Sequence, residues 1–430
     1  MRILPQFSLF EKTQNEEILG DLKRLKNVID NIPDGKLIFK LNLIRGKGRN
    51  AWPVVSMWHA FIAGIVFKHK NDADMLRELN RNSQLRDLCG FKPKKEKQKD
   101  GTYKVFIAPP ASAYSKFLKN LKTYCGEELK EVFESLVKYM YDNLEDFGEY
   151  LAIDGKAVQS YATTYSKETK EDGRRDTDAN WGTKKYTTSI NAKGEVVTNK
   201  VTWFGYTVHL VVDAKYELPV AFKVTPASNS EQMQAKEILK AMHEEQLEKC
   251  KYFMADKGYD DTKIIEYLKE KGIAAIIDIR NMWKDGEETK QYKDTDVVYT
   301  YDGKVYYIDE NGNQIKLRYL GYDKSSDSLR YGFKPQYNDN RVFRIKCDTD
   351  KRIFVTVARD SKKWAREYKK RTSVERVNGR IDRDYEFEDH TIRGIKKMDL
   401  YVTASFIVML SMAKSKIEAN NYNHLAALIS

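Results

Sequence analysis

The stretch from residue 148 to 280 constrains the fold more than any other. GEYLAIDG (148–155) is a short apolar run ending in Asp154-Gly155. The polar residues 156–200 read as a long loop with a hairpin. VTWFGYTVHLVVDA (201–214) then alternates as a strand does, and LPVAFKVTPAS (218–228) follows after a turn at Asp213 to Glu217. SEQMQAKEILKAMHEEQLEK (230–249) has helical spacing. KYFMADKGYDD (251–261) is a strand running into Asp256, TKIIEYLKEKGI (262–273) is a helix that Asp260 or Asp261 can cap, and AAIIDIR (274–280) is a last strand. Three strands come first, then helix, strand, helix, strand. Open α/β sheets present ligand-facing residues at strand ends. Asp154 and Asp256, 102 positions apart (256 minus 154), read as ending two separate strands.

That order is the order of an RNase H-like fold, and the expected class is α/β: a mixed five-stranded sheet with helices. A second charged run lies downstream. EYKKRTSVERVNGR (367–380) has no proline and its one glycine, Gly379, falls near the end, so it reads as a helix. At about 100° per residue, Tyr368, Arg371 and Glu375 share a wedge of roughly 60°. Lys362, Lys363, Arg366, Lys369, Lys370, Arg376 and Arg380 flank them. A carboxylate in such a basic field stays ionised, and ionised carboxylates beside cations suit a site for Mg²⁺ and phosphates. The same run also fits a solvated helix with i,i+4 ion pairs. Other acids compete for the metal role: Asp213 in a turn, Asp260 and Asp261 as caps, Asp278 inside a strand.

Lys and Arg outnumber Asp and Glu by 75 to 63, a net +12, which favours a polyanionic partner. Cys89, Cys125, Cys250 and Cys347 form no CxxC pair and read as reduced, buried thiols. Six histidines without ligand spacing argue against zinc. The N-terminus does not read as a secretory signal. AFIAGIVF (60–67) and LYVTASFIVMLSMA (400–413) read as buried helices too short to span a bilayer, and the second is expected to pack on the sheet. These features predict no membrane partner and a cytoplasmic location.

The first 135 residues read as helical. NEEILGDLKRLKNVIDNI (15–32) is amphipathic, Asn71-Asp72 can cap a helix, and KPKKEKQKDGTYK (92–104) is a lysine-rich loop. Lys116, Lys119 and Lys122 recur on the next helix, as a DNA-binding module or an ordinary lysine-faced bundle would have them. Residues 285–345, tyrosine-rich with turns at Asp302-Gly303 and Glu310-Asn311-Gly312, read as β meanders. The expected division is 1–135 (helical, DNA-binding), 136–284 (first part of the core), 285–345 (β-rich insertion) and 346–430 (glutamate helix and C-terminal helix).

The sequence resembles bacterial insertion-sequence transposases of the DDE type, in the group whose glutamate lies in a Y-x2-R-x3-E-x6-K helix. Tyr368, Arg371 and Glu375 match its first three positions; AIDGK, FMADKGYDD and the WFGYTVHLVVDA block look like its aspartate and strand blocks. WPVVSMWHAFIAGIVF…ADMLRELNRNSQLRDLCGF resembles the domain often found ahead of that core. The resemblance implies Asp154, Asp256 and Glu375 as catalytic metal ligands for two Mg²⁺ ions, with Mn²⁺ able to substitute. It implies Tyr368 and Arg371 at DNA phosphates; Lys257, next to Asp256, reads as a further phosphate contact or a surface lysine, and the basic flanks Lys369 and Arg376 as DNA-binding. It further implies double-stranded DNA as partner, a homodimer on DNA, and work at the bacterial nucleoid. The motif's final lysine falls at Asp382, an acid. Trp283 and the insertion tyrosines fit either base stacking or sheet packing, and His209 reads as packed. A nuclease of the same fold and a decayed DNA-binding copy are the rival functions.

Overall fold

The computed structural model describes residues 20–46, 52–97, 100–162, 175–190 and 196–428. The start of the amphipathic run at 15–32 lies outside these. The chain divides into two units: residues 1–145, 158–206 and 379–430 form one, and residues 146–157 and 207–378 the other.

The first unit is mainly helical. Helices α1 (Leu22–Asn31), α2 (Gly35–Arg45), α3 (Val54–Val66), α4 (Asp72–Arg81) and α5 (Ser83–Cys89) come first. Asn71 caps α4 by accepting from the Asp74 N–H at 3.0 Å. The lysine-rich run is a hairpin rather than a loop: β1 (Lys94–Lys97) pairs antiparallel with β2 (Tyr103–Phe106). Lysines carry no strand pattern of their own, so the pairing was not legible. Helices α6 (Ala111–Tyr124) and α7 (Gly126–Asn143) follow. Strand β4 (Asn180–Ile190) pairs antiparallel with the first part of β5 (Val196–Asp213).

The C-terminal apolar helix, α13 (Ile395–Glu418), is 24 residues long, well beyond the apolar run at 400–413. Among the described residues it is the one helix long and apolar enough to cross a membrane, and 78% of its apolar window is buried. Its main neighbours are α7, α1, α3 and α6, and Met398, Val402, Phe406, Met409 and Ala413 are all within the core. A helix apolar on every side needs partners all round, and these helices supply several of them.

In the second unit β3 (Tyr150–Gln159) lies between the end of β5 and β7 (Tyr252–Ala255); β6 (Pro219–Pro226) flanks β5, and β8 (Ala274–Ile277) flanks β7. The β3–β7 and β7–β8 pairs are parallel. Ala214 donates to the Tyr150 carbonyl at 2.8 Å, so the end of β5 meets the start of β3. The sheet is thus mixed, with helices α8 (Glu231–Ala241), α9 (Glu244–Lys249) and α10 (Thr262–Glu270) between strands. Asp261 caps α10 through the Lys263 and Ile264 N–H groups. The segment 285–345 contains β9 (Lys290–Gln291) to β14 (Ser328–Gly332), followed by β15 (Val342–Lys346). Tyr299, Val305, Leu329, Tyr331, Ile345 and Phe354 share one buried cluster, and Trp283 packs against it. Tyr299 and Tyr331 therefore serve packing.

Candidate active site

The site is built on three parallel strands. The β3–β7 register pairs Tyr150 with Tyr252 and Ala152 with Met254. The same offset places Asp154 level with Asp256. The β7–β8 register pairs Ala255 with Ile277, which puts Asp278 level with Asp256 in turn. Neighbouring strands lie about 4.8 Å apart, so three aspartates stand side by side across the sheet. Two expectations change here. Asp154 lies inside β3, which runs on to Gln159, rather than at a strand end. Asp278 lies one residue past the end of β8 rather than inside it. Apolar alternation in β3 stops at Asp154, but the ladder does not.

Helical chain delivers the third acid. The run expected as one helix is α11 (Lys362–Tyr368), a 3₁₀ turn at Lys369–Arg371, and α12 (Thr372–Tyr385), which continues through Gly379. Ser361 caps α11 by accepting from the Trp364 N–H at 3.1 Å. Tyr368 stacks on Trp364 with ring centroids 4.7 Å apart. Arg371 donates to Glu375 Oε1 at 2.5 Å. Asn378, three residues beyond Glu375, donates from Nδ2 to Asp154 Oδ2 at 3.1 Å. That bond ties the glutamate helix to the first aspartate strand. The Asn378 Oδ1 is buried without a hydrogen-bond partner.

The electrostatics agree with this gathering. Burial works against the charge on Arg371, but Tyr368, Glu375 and Asp154 outweigh it and raise its pKa. Burial raises the Tyr368 pKa, and Asp278 and Asp256 add to the rise while Arg371 opposes it. Burial raises Tyr259 well above its usual value, and Glu231, Asp154 and Asp256 push it further. Of the remaining expected residues, Lys257 and Lys369 are exposed. Arg376 is paired with Glu217 and also donates to Thr372 Oγ1 at 2.8 Å. His209 is fully buried with Nε2 3.0 Å from Thr225 Oγ1, a packed residue as expected.

The donor set is hard oxygen, as Mg²⁺ prefers. The acids surround one region without closing on it: among the described residues no three acidic, histidine or cysteine side chains form a ready metal cage. The orphaned Asn378 oxygen and the unpartnered Tyr259 hydroxyl are buried polar atoms of the kind that a bound, hydrated cation satisfies. The residues fit a divalent metal by chemistry.

A family model described as "Transposase DDE domain" matches residues 148–410. The chain belongs to the DDE transposase family. Members of such a family carry out phosphodiester hydrolysis and transesterification, and generally use divalent metals. No curated protein matches this chain. A solved structure, the cryo-EM piggyBac transposase synaptic complex with hairpin DNA, aligns over 95% of this chain and 79% of that one. The identity is 9% and the TM-score 0.36. Within this transposase, reading the sequence missed Asn378, whose amide has no signature in a charged helix. It also did not single out Glu231 within the helical run at 230–249.

Proposed function

We propose that this transposase binds the terminal inverted repeats of an insertion sequence, hydrolyses the 3′ strand at each end, and joins the freed 3′-hydroxyl to target DNA. The observation that carries the reading is the Asn378–Asp154 hydrogen bond at 3.1 Å. It anchors the helix bearing Glu375 to the strand bearing Asp154, whose register sets it beside Asp256. Asp154, Asp256 and Glu375 would hold two Mg²⁺ ions, with Mn²⁺ able to substitute, in an RNase H-like core. The bound ions would activate the attacking oxygen and stabilise the leaving one. The protein's own residues position the phosphate. Arg371 can turn its guanidinium from Glu375 to a phosphate and form a bidentate pair. Tyr368 offers a hydroxyl to a phosphate oxygen, and Lys257, Lys369 and Arg376 supply charge along the backbone.

The division into a helical DNA-binding region at 1–135, a core at 136–284 and 346–430, and a β-rich insertion at 285–345 belongs to this reading. So do a homodimer on DNA, needed to handle two ends together, and work on bacterial chromosomal DNA. The test is strand cleavage of a duplex carrying the element's end, in Mg²⁺, by wild type and Glu375→Gln. The expected result is cleavage at the element boundary by wild type, and a variant that binds the duplex but does not cut. Equal cleavage by both removes Glu375 from the site. Cleavage without joining of pre-cut ends to a plasmid favours a nuclease. Tight binding without cleavage by either favours a DNA-binding copy.

A further inference from the structure

Glu231 is the first residue of α8, where an acid is expected simply because a helix N-terminus favours negative charge. Its surroundings ask for more than that. A Cβ built on Gly155, the residue after Asp154, would stand 2.8 Å from Glu231 Oε1. A Cβ built on Gly258 would stand 2.7 Å from Glu231 Oε2 and 2.8 Å from Asp256 Oδ1. Two glycines on two different segments therefore leave the space that this one carboxylate fills. The Glu231 and Asp256 oxygens are no further apart than 2.7 and 2.8 Å laid end to end. A helix-start acid that only met the dipole would need neither clearing.

A second observation is independent of the acids. The Tyr259 side chain is fully buried, and its hydroxyl has no hydrogen-bond partner. Among the groups acting on that phenol are Glu231, Asp154 and Asp256. A buried hydroxyl amid three carboxylates is placed to bond a ligand's water or oxygen.

We propose that Glu231 is a fourth carboxylate of the divalent-cation site, acting on the ion held by Asp154 and Asp256. The proposal rests on the reading of Asp154 and Asp256 given above. Under it Asp154, Asp256 and Glu231 set cation affinity, and Glu375 completes the set from its helix.

The probe is Mn²⁺ alone, titrated calorimetrically into the full-length chain without DNA. Four proteins are compared: wild type, Glu231→Gln, Asp256→Asn and Glu237→Gln. Glu237 lies on the same helix, exposed and paired with Lys223, and so controls for the loss of one charge. The expected result is a tenfold or greater loss of Mn²⁺ affinity for Glu231→Gln and Asp256→Asn, with Glu237→Gln and all melting temperatures unchanged. If Asp256→Asn weakens binding while Glu231→Gln titrates as wild type, Glu231 is a helix-start acid only and the reading of Asp256 stands. If Glu237→Gln weakens binding as much as Glu231→Gln, the effect is bulk charge and the proposal falls. If wild type takes up no Mn²⁺, or Asp256→Asn changes nothing, both this proposal and the metal site beneath it fail.

Discussion

Asp256 and Asp260 sit four positions apart in one loop and have opposite surroundings. Asp256 follows β7 directly, is partly exposed, and accepts the Gly258 N–H at 2.7 Å. Asp260 is 1% exposed; its Oδ2 accepts from the Arg280 N–H at 3.0 Å and from Arg352 Nη1 at 2.8 Å. Its carbonyl accepts from Gln232 Nε2 and Arg280 Nη2. Arg359, close by and buried, donates to the Arg352 and Ile277 carbonyls, and burial pulls its pKa down to about 10. Arg280 and Arg352 hold one oxygen of the buried acid, whereas the partly exposed acid accepts the Gly258 N–H. The difference lies in what distant sequence brings to each acid.

The sharpest way to break this contrast is to neutralise both acids in turn. Asp256→Asn should lower DNA strand cleavage by about 10³-fold or more, the loss expected when several kcal/mol of metal-borne charge stabilisation goes. Its melting temperature should stay near that of wild type. Asp260→Ala should do the reverse first: by stranding Arg352 it should cost about 3–5 kcal/mol of stability, measured by urea unfolding. A stable Asp260→Ala protein that fails to cut would place Asp260 in the chemistry and undo the comparison.

A third aspartate refines it. Asp213 is fully buried without an arginine: it accepts the Gly148, Lys215 and Tyr216 N–H groups at 2.9, 3.0 and 2.7 Å. Burial outweighs those bonds and raises its pKa to about 6. The folded pKa lies above the unfolded 3.8, so the folded state binds this proton more tightly. The resulting stabilisation is full below pH 3.8 and is lost as the pH rises through 6. Asp213→Asn should remove that dependence. The difference in unfolding free energy between wild type and variant should shift by on the order of 2 kcal/mol between pH 4 and pH 7. A constant difference across that range would mean that Asp213 is solvated enough to titrate normally.

The elements behind this contrast were largely legible. Alternation marked β5, the switch to helical spacing marked α8 and α10, and the turn residues marked the strands between 285 and 345. What could not be read were features set by pairing. The 102-residue spacing of Asp154 and Asp256 is only a number until the β3–β7 register makes it an alignment. The continuation of β3 past Asp154 rests on ladder bonds that polar KAVQ does not advertise. Asp278 looked internal because IIDIR is apolar on both sides. Glu231 needed two glycines from elsewhere in the chain before it meant anything.

The smallest expected effect tests how the open acid is held. Asn378 donates to Asp154 Oδ2, a bond that orients the carboxylate proposed above as a metal ligand. Removing a group that orients a metal ligand typically costs 10- to 100-fold. Asn378→Ala should therefore lower cleavage about tenfold, or about 1.4 kcal/mol of barrier. The loss should appear as a higher Mg²⁺ concentration for half-maximal cleavage, with DNA affinity unchanged. Asn378→Asp should be worse than Ala, since it sets a second anion against Asp154 instead of a donor. If DNA affinity falls and the Mg²⁺ dependence stays put, Asn378 contacts DNA instead.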